Sequence, residues 1–551
     1  MPRSRAARRP VSDNVVALRA GAVALEAEGP DLRGLELGGR ALVQRIYPAF
    51  RDAKWGTAPL QVRHRQVEAG QRSFSLELEG TAALGELDLE WALRAVGGED
   101  GTLACTVEAE ANHAFEYRRL GICLHLDAAA CVGARALAEG PGGREERLLG
   151  DQIVPQLTDG QKYLSMLGPF GFLELSFPDG TRIELATDGA SFELEDQRNW
   201  ADSSLKVYSS GPQRLLRCAA GDRIRQELSL CFAAPPRIAP RSPAAELEVG
   251  GPTASRVRPI GLGIDAGWAA RDGARPAHLR LDVGLGDAEL PGGPELERLL
   301  AESDTPVELA VHGTEGDPPT LPTICSELPL ARVLVFDRSE RSTSPQLLEL
   351  VAAAVGRDAP LAVGTSAHFS EVCRRPPELA GAEFLTWSAH PQAHASDDRS
   401  VVENLPGLGA QVRTARALLP ALSPIVSELR LAPAGQSDPR GSASFGAAWA
   451  VGAFAQLLGA GVGTVTIAGE AGEQSVVAIA AVLMDAHGAP LRPVSAAPGT
   501  AAVAWGGEEV GMLVANLRPV RRIVMVKVSG ADPVELPLEG YQVERLSLPV
   551  V

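Results

Sequence analysis

The chain has 551 residues, 45% of them hydrophobic and 22% charged, which implies two or three domains with their own cores and excludes disordered or collagen-like architectures. A net charge of -17 with no local basic patch repels phosphate backbones and anionic lipid, so nucleic-acid and membrane-surface roles are excluded and a small neutral or cationic partner fits better. The seven cysteines are odd in number and scattered without a CxxC pair, which argues against a disulfide framework and a thiolate zinc site.

The Arg-rich opening, Met1 to Arg9, runs into Pro10 and polar residues rather than an apolar stretch, so residues 1–14 are expected to be a disordered basic tail and not a secretory signal. The most apolar stretch, Phe445 to Val465, is rich in Ala and Gly and reads as a buried helix entering a strand. A cytoplasmic protein is the default expectation. Residues 15–235 show short alternating runs such as "RSFSLELEG", "GTLACTVEAEA" and "FLELSFPDGTRIELATDG". Period two means strands with one buried face, and Asp179-Gly180 marks a hairpin, so this region is expected to be an all-β, sandwich-like domain.

A Pro- and Ala-rich stretch at 236–257 reads as a linker. Over 258–494 the pattern changes to short continuous apolar runs, "IGLGIDA", "AHLRLDV", "VELAVH", "ARVLVFD", "LAVGTSAHF", "FLTWSAH", "IVSELRL" and "GTVTIAG", with helical patterns such as "SPQLLELVAAAVG" between them. Eight strands alternating with helices predict a (β/α)8 TIM barrel, and no Gly-rich phosphate loop after the first strand supports the open doubly wound alternative. Alternation returns over 495–551 as a small C-terminal β-sheet module.

Active groups of such a barrel project from the C-terminal ends of its strands. After the fifth predicted strand, "GTSAHFSEVCRRPP" offers His368, Glu371, Cys373 and Arg374. After the sixth, "WSAHPQAHASDDRSVVEN" offers His390, Gln392, His394, Asp398 and Ser400, and the eighth ends in "TIAGEAGEQ" with Glu470. Three of the nine histidines fall between positions 368 and 394. Glu371 and Glu470, on different strand ends, are the candidate acid and base, because hydrolysis of an acetal needs one carboxyl to protonate the leaving oxygen and another to attack or activate water; a surface or ion-paired glutamate is the plainer alternative, with Arg374 as partner. His394 joins them as a catalytic candidate. The other histidines are read as donors to substrate hydroxyls in preference to metal ligands, since Pro391 breaks the helical spacing a metal pair would use. No metal or cofactor is expected, and Cys373 reads as a buried cysteine rather than a nucleophile.

Within the β region, "FELEDQRNWADSSLKVY" combines Arg198, Asn199, Trp200 and Lys206. Two readings stay open: sugar recognition, with Trp200 stacking on a ring face, or an ion-pair network that docks the segment.

These blocks, together with "SDPRGSASFGAAW", resemble the D-apionate lactonase family of bacterial sugar-acid catabolism, in the same order from about Gly150 to Glu470, and "EDQRNW" is the most specific part. The resemblance implies hydrolysis of an aldonolactone-type ring ester on a barrel akin to those of glycoside hydrolases. It places Glu371, Arg374, Gln392, His394, Asp398, Ser400 and Glu470 at motif positions, while His368, Cys373 and His390 depart from the asparagines of the pattern. Three functions are therefore weighed: a sugar lactonase with Glu371 as preferred base, a retaining glycosidase using Glu371 and Glu470, and a non-catalytic sugar-binding protein. The expected partner is a small sugar or sugar lactone, and a homo-oligomer is compatible with the composition.

Overall fold

The computed structural model describes residues 15–156, 158–159, 162–163, 165–211, 215–233, 245–264, 275–339, 341–356, 358–379, 381–469 and 475–550. The basic tail expected at 1–14 lies outside the described residues. The chain forms two compact units: residues 1–151, 156–197 and 204–241 make the first, and 152–155, 198–203 and 242–551 the second.

The first unit contains two nine-stranded sheets whose strand pairings are antiparallel. Alternation sets one face of each strand apolar, and Ile46, Phe50, Ile122, Leu124, Val207, Leu78, Leu93 and Leu230 are buried accordingly. Gln226 ties the sheets together: its amide donates to the Leu120 carbonyl at 3.0 Å and accepts from the Ile122 N–H at 3.0 Å. The hairpin expected at Asp179-Gly180 joins strands Phe172–Ser176 and Arg182–Asp188, with Gly180 at φ 85.

The second unit is built on a closed parallel barrel of eight strands, Ile260–Gly263, Leu279–Gly284, Val307–Gly313, Leu330–Asp337, Leu361–Gly364, Phe384–Ala389, Ser423–Leu429 and Thr464–Ile467. The eighth pairs with the first through Ile260 and Val465, which closes the ring as the TIM-barrel expectation requires. Outward residues such as Leu309, Val311, Val333, Trp387 and Val465 join one core with Leu347, Val351, Leu408, Val412 and Phe454 of the surrounding helices.

The interior is less apolar than the strand sequences suggest. Ala310, Leu334, Phe336, Ala362 and Ile425 form a small apolar plug. Beside it Glu308, fully buried, accepts from Thr466 Oγ1 at 2.7 Å and Ser427 Oγ at 2.5 Å and lies 3.4 Å from both His278 and Arg332. Burial works against its charge, but His278 and Arg332 outweigh it and hold the carboxyl below its ordinary range.

Two four-stranded sheets follow the barrel. One of them takes a strand from the stretch expected to be a linker: Ala245–Val249 pairs in parallel with Arg522–Val528 and antiparallel with Val494–Ala496. "AELEV" alternates buried and exposed residues, and that local pattern overrides the Pro-rich flank. No helix among the described residues is long and apolar enough to cross a membrane.

Candidate active site

The site begins with a short crossing of the chain. Residues 198–203 are part of the barrel unit although the strands on either side of them in sequence are not. Helix Leu405–Leu418 and the residue before it hold this segment. The Gln411 amide donates to the Arg198 carbonyl at 2.9 Å, while Asn404 accepts from the Ser203 N–H and donates to Asp202 Oδ1, both at 3.2 Å. The backbone passes through the left-handed region at Ala201, φ 71, so that Trp200 and Asp202 on either side of it both reach His394.

His394 Nδ1 forms a short hydrogen bond with Asp202 Oδ2. Trp200 meets the imidazole edge-on, with ring centroids 5.8 Å apart at 79°. A buried carboxylate on Nδ1 fixes the ring orientation and leaves Nε2 as the nitrogen able to accept a proton. The Arg374 guanidinium also lies over Trp200, 5.6 Å from the ring centroid. Arg374 also pairs with Glu371, three residues earlier on the same short helix, Phe369–Arg374. Asp202, His394, Trp200, Arg374 and Glu371 thus form one chain of contacts drawn from three segments.

The rings of His368 and His390 touch, with centroids 4.7 Å apart and planes tilted by 56°. Burial pushes His368 down to about 3, with His390 and His394 adding to the shift. Burial likewise lowers His390 to about 4, aided by His394 and Arg430 and opposed by Asp202. Both rings are neutral at physiological pH. His390 Nδ1 accepts from the Gln392 N–H at 3.3 Å, which directs its Nε2–H away as a donor.

Other sequence candidates have protein partners elsewhere. Gln392 donates to the Leu431 carbonyl and to Asp438, each at 2.7 Å, and Asp398 receives Arg440 at 2.6 Å. Ser400 is buried in helix Asp398–Glu403, and its N–H is capped by Asp397. Arg198 and Asn199 donate to the carbonyls of Gln152 and Val154 at 3.1 and 2.9 Å, so these two side chains anchor backbone. Lys206 belongs to the first unit, where it pairs with Glu195 at 2.7 Å. Cys373 is buried. Glu470 lies outside the described residues.

Residues 4–235 match the family model described as D-apionate lactonase, N-terminal domain, and residues 277–504 match D-apionate lactonase, TIM barrel domain. The chain belongs to the D-apionate lactonase family. It is 24% identical over 516 residues to a D-apionate lactonase of Brucella anthropi, covering 82% of this chain and 81% of that protein. Membership makes the chain a hydrolase of the lactonase type. Among solved structures it is similar to CelM2, a bifunctional glucanase-xylanase from a metagenome library, at 9% identity and TM-score 0.39, over 56% of this chain and 100% of that one. It is also similar to the family 44 endoglucanase Cel44A of Clostridium thermocellum, at 8% identity and TM-score 0.35, over 56% and 98% of the two chains. Likenesses at that level say nothing about chemistry.

This D-apionate lactonase family member carries further ionisable groups at its strand ends that reading the sequence missed. Asp282 ends the second strand, His312 the third and Glu428 the seventh, with Arg430 just beyond. Each is a polar residue among the last three positions of a largely apolar strand, and that placement was the available signal. Among the described residues no group of three or more His, Cys, Asp or Glu side chains has the arrangement of a metal centre.

Proposed function

We propose that the protein hydrolyses a sugar lactone such as D-apionolactone, with His394 as the general base and Arg374 as the oxyanion-stabilising group. His394 Nε2 takes a proton from a water molecule as its oxygen attacks the ring carbonyl, and Asp202 stabilises the imidazolium that forms. Arg374 donates to the carbonyl oxygen as it becomes an oxyanion. Collapse of the tetrahedral intermediate breaks the ring C–O bond, and the proton on His394 Nε2 passes to the leaving alkoxide, giving the open hydroxy acid. Neutral His390 and His368 add a donor and a dry wall, and Trp200 offers a face for the ring.

The observation that carries this reading is the contact of Asp202 with His394 and of both His394 and Arg374 with Trp200. It moves the base from Glu371, whose carboxylate is engaged by Arg374, to His394. The test is a rate assay of purified protein on a panel of aldonolactones: acid release well above spontaneous opening is expected, and its loss in His394→Gln. A panel left at the spontaneous rate would overturn the assignment.

A further inference from the structure

The mechanism above uses the sides of the barrel mouth formed after the fifth and sixth strands and leaves the ends of the second, third and seventh strands unused. There, Asp282 is held from below by Arg280, which donates to Oδ2 through Nε at 2.9 Å and to Oδ1 through Nη2 at 2.7 Å. His312 Nε2 contacts the same Oδ1 at 2.7 Å, and its ring lies against Phe336, centroids 5.2 Å apart. Burial favours the neutral acid, yet the Arg280 guanidinium and the bonds from His312 and Arg280 hold the Asp282 carboxyl well below the usual carboxylate range. A carboxylate has about four acceptor positions, and these contacts occupy three. The Asp282 side chain is still 46% exposed, so the remaining position is within reach of a ligand.

Glu428 stands nearby, its charge acting on the same Arg280. Arg430 engages only its Oε2, through Nε at 2.7 Å and through Nη2. Oε1 turns toward Gly263 at the end of the first strand, where a Cβ would stand 2.9 Å from it. The missing Cβ leaves the space that this oxygen fills beside the first strand. Two carboxylates, each braced by an arginine and each keeping acceptor capacity, suit neighbouring hydroxyl groups, which donate to them. They do not suit an anion or an alkyl chain.

We propose that Asp282, braced by His312, and Glu428 form a hydroxyl-binding wall that selects a lactone bearing a vicinal diol over an unsubstituted one. This rests on the lactonase reading and names the substrate feature that this wall recognises. A carboxylate that the bound ring covers without offering it a hydroxyl loses its water and penalises the plain ring, the type of discrimination a hydrophobic pocket cannot provide.

The test compares kcat/KM for erythronolactone and γ-butyrolactone, which share a ring and differ in two hydroxyls, in the full chain and in Asp282→Asn and Glu428→Gln. Wild type should prefer the diol, and each variant should narrow that preference by about tenfold or more. A second readout needs no turnover of the plain ring: 1,4-anhydroerythritol, which carries the diol without an ester, should inhibit competitively, and its inhibition constant should rise in both variants. Equal losses on both lactones, or no change in preference or in inhibition, would overturn the wall and leave the lactonase reading standing. Failure of the wild type on every lactone would remove the lactonase reading itself, while inhibitor binding measured by calorimetry would still report on the wall.

Discussion

His394 and Glu371 compete for the role of base, and single substitutions separate them. If His394 takes the proton, His394→Gln should lower kcat by roughly 10²–10⁴-fold with little change in KM. Asp202→Asn should fall in a similar range, because an amide no longer favours the tautomer with Nε2 unprotonated. Glu371→Gln removes only the partner of Arg374 and should cost about tenfold, less than the roughly 10²–10³-fold expected for Arg374→Ala, which removes an oxyanion donor. Steady-state kinetics on one active lactone decide this. A Glu371→Gln loss exceeding that of His394→Gln would return the base to the carboxylate. His394, Glu371 and Arg374 were visible in the sequence because strand ends nominate them, but the partner of His394 was not: Asp202 is 192 residues away, and nothing local predicts that they meet.

At the scale of elements, helix Leu405–Leu418 explains how that meeting is enforced. Gly407 lies in its first turn, where a Cβ would stand 2.7 Å from the Ala201 carbonyl oxygen and 3.2 Å from that of Asp202. Replacing glycine by alanine inside a helix ordinarily stabilises it by about 0.5–1 kcal/mol. Here the sign should reverse, because the obstructing atoms are backbone and cannot swing aside. Gly407→Ala is therefore expected to lower Tm and to reduce kcat, although Gly407 touches no reacting group, by pushing Trp200 and Asp202 out of line. Full activity with a raised Tm would mean that the segment does not need this close approach. The barrel strands themselves were legible, since buried parallel strands read as continuous apolar runs. The charged layer inside was not, because Glu308 in "VELAVH" or Arg280 in "HLRLDV" looks like an outward-facing residue until the closed ring fixes which way each strand faces. The strand Ala245–Val249 carried its own alternating signal and was hidden by the prolines around it.

At the scale of the whole molecule, the two units carry titratable groups displaced in opposite senses. In the first unit, burial and the neighbouring Glu195 raise Glu193 to about 7 against the pull of Arg119 and Lys206, and burial also raises Asp127. The folded unit then holds a proton that the unfolded chain releases above pH 4.5, so Glu193 contributes stability on the acid side that is lost as pH rises toward 7. In the barrel unit, burial lowers His278 and His390 to about 4 and His368 to about 3, each from 6.5. The unfolded chain takes up protons below pH 6.5 that these folded histidines refuse, so their contribution is full above that pH and lost as it falls. Each pH unit of such a window is worth about 1.4 kcal/mol per group, and three histidines together amount to several kcal/mol by pH 5. Differential scanning calorimetry at pH 7.5 and pH 5 should therefore move the barrel component to lower temperature without a parallel fall of the N-terminal component. His278→Gln should weaken the acid sensitivity of the barrel component. A barrel component unmoved or more stable at pH 5 would show that the buried histidines take up protons in the folded state, and the neutral wall assigned to His390 and His368 would have to be abandoned.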